Sequence, residues 1–302
     1  MSRFALDGDK RTTLAEAASR VADGDTIALG GGLCARLPMA LVRELVRQGR
    51  TGLRVFGSAH SIDVDLLVAA GVVTVCEESY VGFEQDLGLA PAFRRGAESG
   101  SLEVRESSCV VVLAQLRAAE MGVPFLPVRG LLGGDLLRLH PEWGTVTCPF
   151  TGAELAAVPA LSPDVALLHA PVGDAAGNLH LDQPYVLDER FAHASRVVIA
   201  TVDQLVSTED VAKAGITVPA HVVSAVAEVP YGAHPSSCYP GYTYDRRHLA
   251  EYIVAATAGP EAVAAYLDAY VFPGEDAYRT RVGPNRLATW STSDEAWMDL
   301  FR

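Results

Sequence analysis

The chain has 302 residues, of which 49% are hydrophobic and 20% are charged. This composition is typical of a globular protein, and the length suffices for one large domain or two small ones. A net charge of −13 at pH 7 and the lack of any Lys/Arg run argue against nucleic acid as a partner, and no apolar stretch reaches the roughly 18 residues that a membrane helix needs.

The first part of the chain alternates short apolar runs with helical patterns. A capping box at residues 13–16 opens a first helix. Residues 25–38 then predict a buried strand, a turn of three glycines and the start of a helix. Further on, we predict strands at 53–56, 72–76 and 102–105, helices at 36–48, 63–70 and 110–121, and a short helical turn at 91–96.

The second part resumes this alternation after an interruption. Residues 125–155 are rich in Gly, Pro and Leu and lack clear periodicity, but they are apolar, so we expect an ordered excursion and not a flexible linker. After it we predict strands at 164–169, 197–201 and 222–229, a turn at 173–178, helices at 187–194, 249–256 and 261–270, and a surface location for residues 291–302.

Strands that alternate with helices at this spacing predict an α/β fold, a mostly parallel sheet with helices on both faces, in a single domain. The carboxyl ends of parallel strands lie at one edge of the sheet, where ligands bind in such folds. Four predicted strands end in small or polar residues, so these ends are expected to meet at one rim: Gly30-Gly31, Gly57-Ser58, Glu77-Glu78 and Glu106-Ser107-Ser108.

The turn Gly30-Gly31-Gly32 has two interpretations. Glycine permits sharp turns and lets a ligand approach the backbone closely, but a glycine turn after a strand is equally a plain strand-to-helix connection. The segment has neither the dinucleotide-binding pattern G-x-G-x-x-G nor the Gly-Lys-Ser/Thr of a P-loop. Nicotinamide or ATP binding is therefore not predicted from it.

The five cysteines are Cys34, Cys76, Cys109, Cys148 and Cys238, scattered singly without a C-x-x-C pair or a Cys/His cluster at metal-ligand spacing. The first seven residues contain no apolar signal region. We therefore expect buried thiols in a reducing, cytoplasmic compartment and no metal site.

Several segments of the chain carry a family resemblance, and the most specific of them is the PYGAHPS stretch. They lie at 24–31, at Arg36 with Pro38, at 122–127, 164–170 and 230–236, at Cys238-Tyr239 and at 270–272. Together these segments resemble the A (alpha) subunit of class I coenzyme A transferases, most closely the glutaconate branch. They occur in family order between about residue 12 and about residue 286.

The resemblance implies an open three-layer α/β/α sandwich with a central, mostly parallel sheet, and an enzyme built from two different subunits. A glutamate of the beta (B) subunit first attacks an acyl-CoA thioester, and the returning CoA thiolate forms a glutamyl-CoA thioester. The acceptor carboxylate then takes the CoA. Coenzyme A is thus a substrate, no permanently bound cofactor is expected, and the partner is a beta subunit in a heterodimer, heterotetramer or larger complex.

On this interpretation the chain shapes the acyl pocket and supplies no nucleophile. Arg36 is either a carboxylate clamp or a helix-start arginine tied to a neighbouring acid. For His60 a packed or solvated side chain is favoured over an acid–base group, and for Glu77 and Glu78 a solvated turn. The substrate-binding candidates are Gly30, Gly31, Arg36, Ser58, His60, Glu78, Ser108, Cys109 and His234. His234 lies in the PYGAHPS motif, for which a mainly structural role is expected.

Two departures from the glutaconate branch bear on the substrate. At Glu106-Ser-Ser-Cys109, Ser108 keeps the serine of the family pattern, but Cys109 replaces a polar amide. The turn Gly32-Leu-Cys-Ala35 is smaller and more apolar than the Thr-rich turn of that branch. The pocket is therefore expected to suit a bulkier or more apolar acyl group than a short dicarboxylate.

Two alternatives remain open. Ring-opening hydrolases of steroid catabolism resemble the chain comparably, including Tyr80, Gly82 and Phe83, but the place of their essential alpha-subunit glutamate is taken here by Cys109. Glu106 is an imperfect substitute, and Cys109 itself becomes a candidate nucleophile if the start of a helix lowers its pKa. The second alternative is a non-catalytic scaffold protein within such a complex. Discovery of a partner with a glutamate in its active-site loop would favour the transferase.

Overall fold

The computed structural model describes residues 8–83, 87–183 and 185–289. Its core is an eight-stranded sheet in which seven strands run parallel in the order β13-β12-β10-β1-β2-β4-β6, and β11 pairs antiparallel with β10. The strands of this sheet are β1 (Thr26–Leu29), β2 (Leu53–Phe56), β4 (Val73–Glu78), β6 (Glu103–Glu106), β10 (Val165–Asp174), β11 (Leu179–His180), β12 (Val197–Val206) and β13 (Ala225–Glu228).

Helices cover both faces of the sheet, because side chains alternate along each strand between two apolar cores. The helices are α1 (Leu14–Ala18), α2 (Met39–Arg47), α3 (Ile62–Ala69), α4 (Pro91–Ser99), α5 (Cys109–Met121), α6 (Leu136–Leu139), α7 (Asp188–Ala194), α8 (Thr208–Ala214), α9 (Arg246–Ala258), α10 (Pro260–Tyr270), α11 (Glu275–Val282) and α12 (Pro284–Thr289). Leu167 of β10 packs in the core under α2, α3, α9 and α10, whereas its neighbour Leu168 packs in the core under α5 and α7.

The segment between α5 and β10 forms a small sheet of its own. Strands β7 (Phe125–Val128) and β8 (Gly144–Thr147) both pair antiparallel with β9 (Glu154–Pro159). Its apolar side shares a cluster with Val111 and Ala114 of α5, so the excursion is packed onto the main body. The sequence shows no periodicity here because these strands are short and interrupted by glycine and proline.

Several predicted bounds differ from those observed. Strands β10 and β12 are ten residues long and continue past the apolar runs that predicted them, through polar positions. The predicted turn at 173–178 therefore begins inside β10. The turn at 91–96 is the start of helix α4, and α8, α11 and α12 were not predicted.

A further two-stranded sheet, β3 (Ala59–His60) with β5 (Tyr80–Val81), joins the segments after β2 and β4. None of the helices in the described ranges has the length and hydropathy that crossing a bilayer requires. Residues 291–302, expected on the surface, lie outside the described residues.

Four parallel strands, β1, β2, β4 and β6, lie side by side with their carboxyl ends at the same edge. The predicted convergence of the four strand ends is therefore present. Backbone contacts join them directly, since the amide of Leu33 donates to the carbonyl of Ala59 over 2.9 Å and that of Tyr80 to the carbonyl of Ser58 over 3.0 Å.

Candidate functional site

Three small polar side chains meet at this rim. Ser79 follows β4, and its Oγ lies 3.3 Å from the Oγ of Ser58 after β2 and 3.2 Å from the Sγ of Cys109. Ser79 also donates its hydroxyl to the carbonyl of Ser58. Two strand ends and the first residue of α5 are thus joined through Ser79, which sequence reasoning did not single out.

Cys109 is exposed, contrary to the expectation that the thiols are buried. It is the first residue of the 13-residue helix α5. Hydrogen bonds with Ser58 and Ser79 lower the pKa of its thiol below the ordinary value, against a smaller opposing effect of burial. An accessible thiol with a lowered pKa is more nucleophilic at neutral pH than an ordinary cysteine.

Beneath the rim lies a buried ion pair. Nδ1 of His60 is 2.9 Å from Oε1 of Glu78, and its Nε2 is 3.0 Å from the carbonyl oxygen of Leu29. Because both ring nitrogens face acceptors, both carry a proton. Burial alone would lower the pKa of His60, but Glu78 and Asp63 outweigh it and raise that pKa to about 10. His60 is therefore a packed, charged histidine under the site.

Gly57 explains how this pair fits beneath the rim. A Cβ on Gly57 would lie 2.2 Å from Oε1 of Glu78 and 2.8 Å from Cε1 of His60, closer than any real contact. Position 57, directly after β2, therefore requires glycine, because a larger residue would collide with the Glu78 carboxylate. Oε2 of Glu78 has no hydrogen-bond partner among the described residues.

The acidic pair after β4 is not a solvated turn, as the sequence suggested. Glu77 and Glu78 are both buried at the end of the strand itself, and Glu77 lies 3.3 Å from the guanidinium of Arg105. Glu106, in contrast, is exposed at the end of β6. Charge pairing, which composition does not reveal, is what allows the two acids to be buried.

Arg36 is buried and bound within the chain. Its Nη2 lies 3.0 Å from Oδ2 of Asp188, and its Nη1 donates to the carbonyl of Asp182 over 2.7 Å. This matches the interpretation of an arginine tied to a neighbouring acid. A role as substrate clamp stays a prediction, and it would require Asp188 to yield to the substrate carboxylate.

The glycine turn is closed by its own amides. Gly30 donates to the carbonyl of Leu167, Gly31 to Oδ1 of Asp188, and Gly32 to the carbonyl of Ala35, over 2.8, 2.8 and 2.9 Å. Gly31 has φ of +72°, and a Cβ there would lie 2.2 Å from the oxygen of Ala35. The glycines are required by the turn, and their amides already have acceptors.

The end of the PYGAHPS stretch and the residue after it, Ser237, pack against the far side of this turn, and the amide of Leu37 donates to Oγ of Ser236 over 3.0 Å. The carbonyl of Ser237 accepts from the amide of Arg36 over 2.6 Å, and the amide of Ser237 donates to the carbonyl of Cys34 over 2.8 Å. His234 is buried in a separate network, 2.7 Å from the hydroxyl of Tyr278 and 3.2 Å from Asp245. This geometry agrees with a structural role for His234.

The structure therefore brings Ser58, Cys109 and the residues around Ser108 together at the rim, with His60 and Glu78 beneath them. Oγ of Ser108 is buried without a hydrogen-bond partner in the part of the chain that the structure describes. Arg36 lies behind the glycine turn, and His234 does not reach the rim. Ser79 could have been found from its place directly after the acidic pair that ends β4.

The model of the coenzyme A transferase family matches residues 11–229. The chain belongs to the coenzyme A transferase family. Among its relatives in this family, the A subunit of 3-oxoadipate CoA-transferase from Pseudomonas knackmussii is 33% identical over 86% of this chain and 92% of its own length. The A subunit of glutaconate CoA-transferase from Acidaminococcus fermentans is 32% identical over 92% and 93%.

A third relative carries a different activity in its name. The cholesterol ring-cleaving hydrolase IpdA subunit of Rhodococcus jostii is 34% identical over 91% of this chain and 96% of its own. An uncharacterized protein of Archaeoglobus fulgidus is 34% identical over 89% of this chain, which spans only 60% of that relative.

Solved structures of this family confirm the predicted three-layer fold. The structure of glutaconate coenzyme A-transferase from Acidaminococcus fermentans superposes with a TM-score of 0.89 and 31% identity, covering 95% of this chain and 96% of that one. The decarboxylase AibA/AibB, solved as a cysteine-to-serine variant, superposes with a TM-score of 0.78 and 35% identity over 85% and 97%.

Proposed function

We propose that this CoA-transferase family member is the alpha subunit of a two-subunit enzyme that moves coenzyme A from an acyl-CoA to a carboxylic acid. The observation that carries the proposal is its similarity, over almost the whole chain, to proteins named as the A subunits of 3-oxoadipate and glutaconate CoA-transferases. The attacking glutamate then belongs to a beta subunit, in a cytoplasmic complex.

The burial of the two acids at the end of β4 supports the assignment of the attacking glutamate to the partner. Glu77 and Glu78 are buried and paired with Arg105 and His60, so neither carboxylate is presented as a nucleophile. Of the side chains that meet at the rim, Cys109 is the exposed one, and its thiol cannot form a glutamyl thioester. The chain's part is to hold the acyl group while the partner's carboxylate exchanges the thioester.

The oxyanion donors are expected at the start of α5 and not at the glycine turn. Backbone N–H groups aimed at developing negative charge stabilise the intermediates of acyl transfer. Those of Gly30, Gly31 and Gly32 are occupied. At the start of α5 the amides of Val111 and Val112 donate to the carbonyl of Ser108, whereas those of Cys109 and Val110 have no backbone acceptor among the described residues. The amides of Cys109 and Val110 are therefore the better candidates for oxyanion donors.

The test is to co-express the chain with the product of the neighbouring gene and incubate the complex with an acyl-CoA and an isotope-labelled acid. We expect CoA to move to the labelled acid without net hydrolysis, and mass spectrometry to find a CoA adduct on a glutamate of the partner. The chain alone is the control, and full turnover by the chain alone would contradict the proposal.

The acyl preference follows from the lining of the glycine turn. Leu33 and Cys34 present apolar side chains where a short dicarboxylate would need polar partners, so a bulkier or more apolar acid is expected to be the better acceptor. A panel of labelled acids of increasing length, assayed for kcat/KM, tests this. Short dicarboxylates as clearly the best acceptors would contradict it.

A ring-opening hydrolase is the second candidate, and the exposed Cys109 favours it. The thiol lies at the start of α5 with a lowered pKa, at the place that the resemblance gives to the essential glutamate of the hydrolase branch. If this candidate is right, the complex hydrolyses a C–C bond of a cyclic diketone CoA thioester, and Cys109→Ala abolishes that activity. Glu106→Gln is the matched variant for the neighbouring acid. A complex with neither activity would identify a scaffold subunit.

A further inference from the structure

A second cluster of reactive side chains lies in the other half of the sheet, on β10, β12 and the loop after β13. His169, Asp203 and Cys238 each offer one ligand atom, and these three atoms lie within 4.8 Å of one another. His169 and Cys238 are fully buried, and the side chain of Asp203 is 19% exposed. None of the three belongs to the rim described above.

The scaffold that carries the cluster is rigid. His169 and Thr201 are directly paired across β10 and β12, and Asp203 follows Thr201 by two residues, so all three face the same side of the sheet. Cys238 is fixed by a pair of backbone hydrogen bonds with Tyr242, of 2.9 and 3.0 Å. Sites built on paired strands hold their ligands more precisely than sites on loops.

The hydrogen bonds of His169 leave one ring nitrogen as a lone-pair donor. The hydroxyl of Thr201 donates to the carbonyl of Leu168 over 3.4 Å, so its oxygen accepts from Nδ1–H of His169 over 2.9 Å. In the neutral ring Nε2 then carries the lone pair, and it is buried without a hydrogen-bond partner among the described residues. It lies 3.4 Å from Oδ1 of Asp203. Both atoms are acceptors, and a cation between them would bind to both.

Gly232 makes room for this imidazole. A Cβ at Gly232 would lie 2.7 Å from Cε1 and 2.9 Å from Nδ1 of His169. The amide of Gly232 and the hydroxyl of Tyr242 both donate to Oδ1 of Asp203 over 3.3 Å, and they hold this carboxylate beside Nε2 of His169. Hydrogen bonds that orient a ligand in this way are typical of metal sites.

The cluster is reached through a cavity of about 720 Å³ whose wall includes Asp203 together with Asp182 and Glu228. Three carboxylates in the lining of one cavity attract a cation and repel an anionic acyl-CoA. Asp203 stands between this cavity and the two buried ligands. A cation entering from the cavity would therefore meet Asp203 first and leave its remaining coordination position toward the cavity.

We propose that His169, Asp203 and Cys238 bind one zinc ion, with a water or a carboxylate from the cavity as the fourth ligand. A donor set of imidazole nitrogen, thiolate sulfur and carboxylate oxygen fits Zn²⁺ and excludes Mg²⁺ and Ca²⁺, which take oxygen ligands. Binding displaces the thiol proton of Cys238 to solvent, and the thiolate and carboxylate balance the charge of the ion. This site is independent of the proposed CoA transfer.

The first test uses the unmodified full-length chain. It is treated with a chelator, dialysed and titrated with ZnCl₂ by calorimetry, and then loaded with Co²⁺ in place of Zn²⁺. We expect one ion per chain by elemental analysis, and a thiolate-to-Co²⁺ charge-transfer band in the near ultraviolet. Absence of stoichiometric zinc, or bound Co²⁺ without the thiolate band, would overturn the proposal without any substitution.

The second test assigns the ligands. Cys238→Ser and His169→Ala should each abolish stoichiometric zinc binding and the thiolate band, whereas Cys76→Ser, an equally buried cysteine on β4, should retain both. Thr201→Val keeps the shape of the side chain but removes the acceptor for Nδ1–H, and is expected to weaken zinc binding about 10- to 100-fold. Circular dichroism checks that each variant is folded. A band that disappears in Cys109→Ser but persists in Cys238→Ser would place the metal elsewhere and refute the site.

Discussion

Two regions of the molecule differ in how they arrange their reactive side chains. At the carboxyl ends of β2 and β4, the hydroxyls of Ser58 and Ser79 meet the exposed thiol of Cys109 at the start of α5. Along β10 and β12, the loop that carries Cys238 covers the side chains of His169 and Asp203. The same parallel sheet supports both regions. The first keeps its charges underneath, in the buried His60–Glu78 pair. The second gathers its candidate ligand atoms inside, and of the three residues only Asp203 lines the neighbouring cavity.

On the two proposals made above, one sheet serves two kinds of chemistry. The rim proposed to admit a large thioester presents small, neutral groups and is stabilised from below by an ion pair. A site for a small cation is built from a few buried ligands and one exposed carboxylate. The glycine turn lies between the two regions and is fixed by Asp188. Substitutions in the turn and in the buried pair beneath the rim test stability, and substitutions at the rim test thiol reactivity.

The largest expected effect comes from Asp188, which binds both Gly31 and Arg36 and so fixes the glycine turn. Asp188→Asn removes the charge that balances the buried guanidinium of Arg36, at 1% exposure. An uncompensated buried charge costs about 3–5 kcal/mol, so the free energy of unfolding by urea should fall by that amount. Arg94→Ala, which breaks the exposed Arg94–Glu98 pair, is the control and should leave the urea midpoint unchanged. Equal effects of the two variants would contradict the buried-pair interpretation.

The buried pair beneath the rim should next show itself in the pH dependence of stability. His60 has a pKa of about 10 in the folded state, against about 6.5 when unfolded. The folded state therefore holds a proton that the unfolded state releases, so this contribution is complete below about pH 6.5 and is lost as the pH rises toward 10. Unfolding free energies measured across this range should decline.

His60→Asn is the variant that isolates this effect. It should lower stability at neutral pH, because Glu78 and Asp63 lose their counter-ion, and it should remove most of the decline at alkaline pH. His193→Asn on α7, a more accessible histidine, serves as the control and should keep the slope of the parent chain. A decline that persists unchanged in His60→Asn would mean that other groups cause it.

The rim itself is tested through the reactivity of Cys109. Because the hydrogen bonds from Ser58 and Ser79 lower the pKa of its thiol, Cys109 should be alkylated by iodoacetamide faster than the buried Cys76 and Cys238. In Ser58→Ala and in Ser79→Ala, the midpoint of the alkylation rate against pH should move upward, with a several-fold slower reaction at neutral pH. Peptide mapping by mass spectrometry identifies the modified cysteine.

A midpoint that does not move in either serine variant would show that the hydroxyls do not stabilise the thiolate. Thr151→Ala is a suitable control, because Thr151 hydrogen-bonds the Cys148 thiol at a distant position and should leave the alkylation of Cys109 unaffected.

The smallest effect is expected for acyl specificity at the glycine turn. Cys34→Thr introduces a hydroxyl where the sequence departs from the Thr-rich turn of the glutaconate branch. The ratio of kcat/KM for a short dicarboxylate over an apolar acid should rise by up to about 10-fold, which corresponds to one hydrogen bond of about 1 kcal/mol. An unchanged ratio would place the acyl group away from this turn.

The sheet could be predicted from the sequence because its strands are short apolar runs bounded by glycine or polar residues. The convergence of Gly31, Ser58 and Ser108 followed from the general rule that parallel strands end at one edge. The small sheet of residues 125–159 was not predicted, since its strands carry neither alternation nor a buried run.

The side-chain partners at the site were the part that the sequence could not reveal. Arg36 and Asp188 are separated by 152 positions, and His169 and Cys238 come together only through the fold. Neither pair has the regular spacing by which a motif is recognised. Ser79 was missed for a similar reason, because its importance depends on the start of α5 approaching the end of β4.

The contact between Ser237 and the glycine turn ties the first strand of the sheet to a loop made some two hundred positions later. During synthesis, the ribosome has to release most of the polypeptide before residues 31 to 36 can acquire their final shape. A message ending after Val229 would still encode all thirteen strands of the described structure, yet its product would lack the brace behind that turn. The glycine turn therefore reaches its final shape only in a chain that has been translated at least through Ser237.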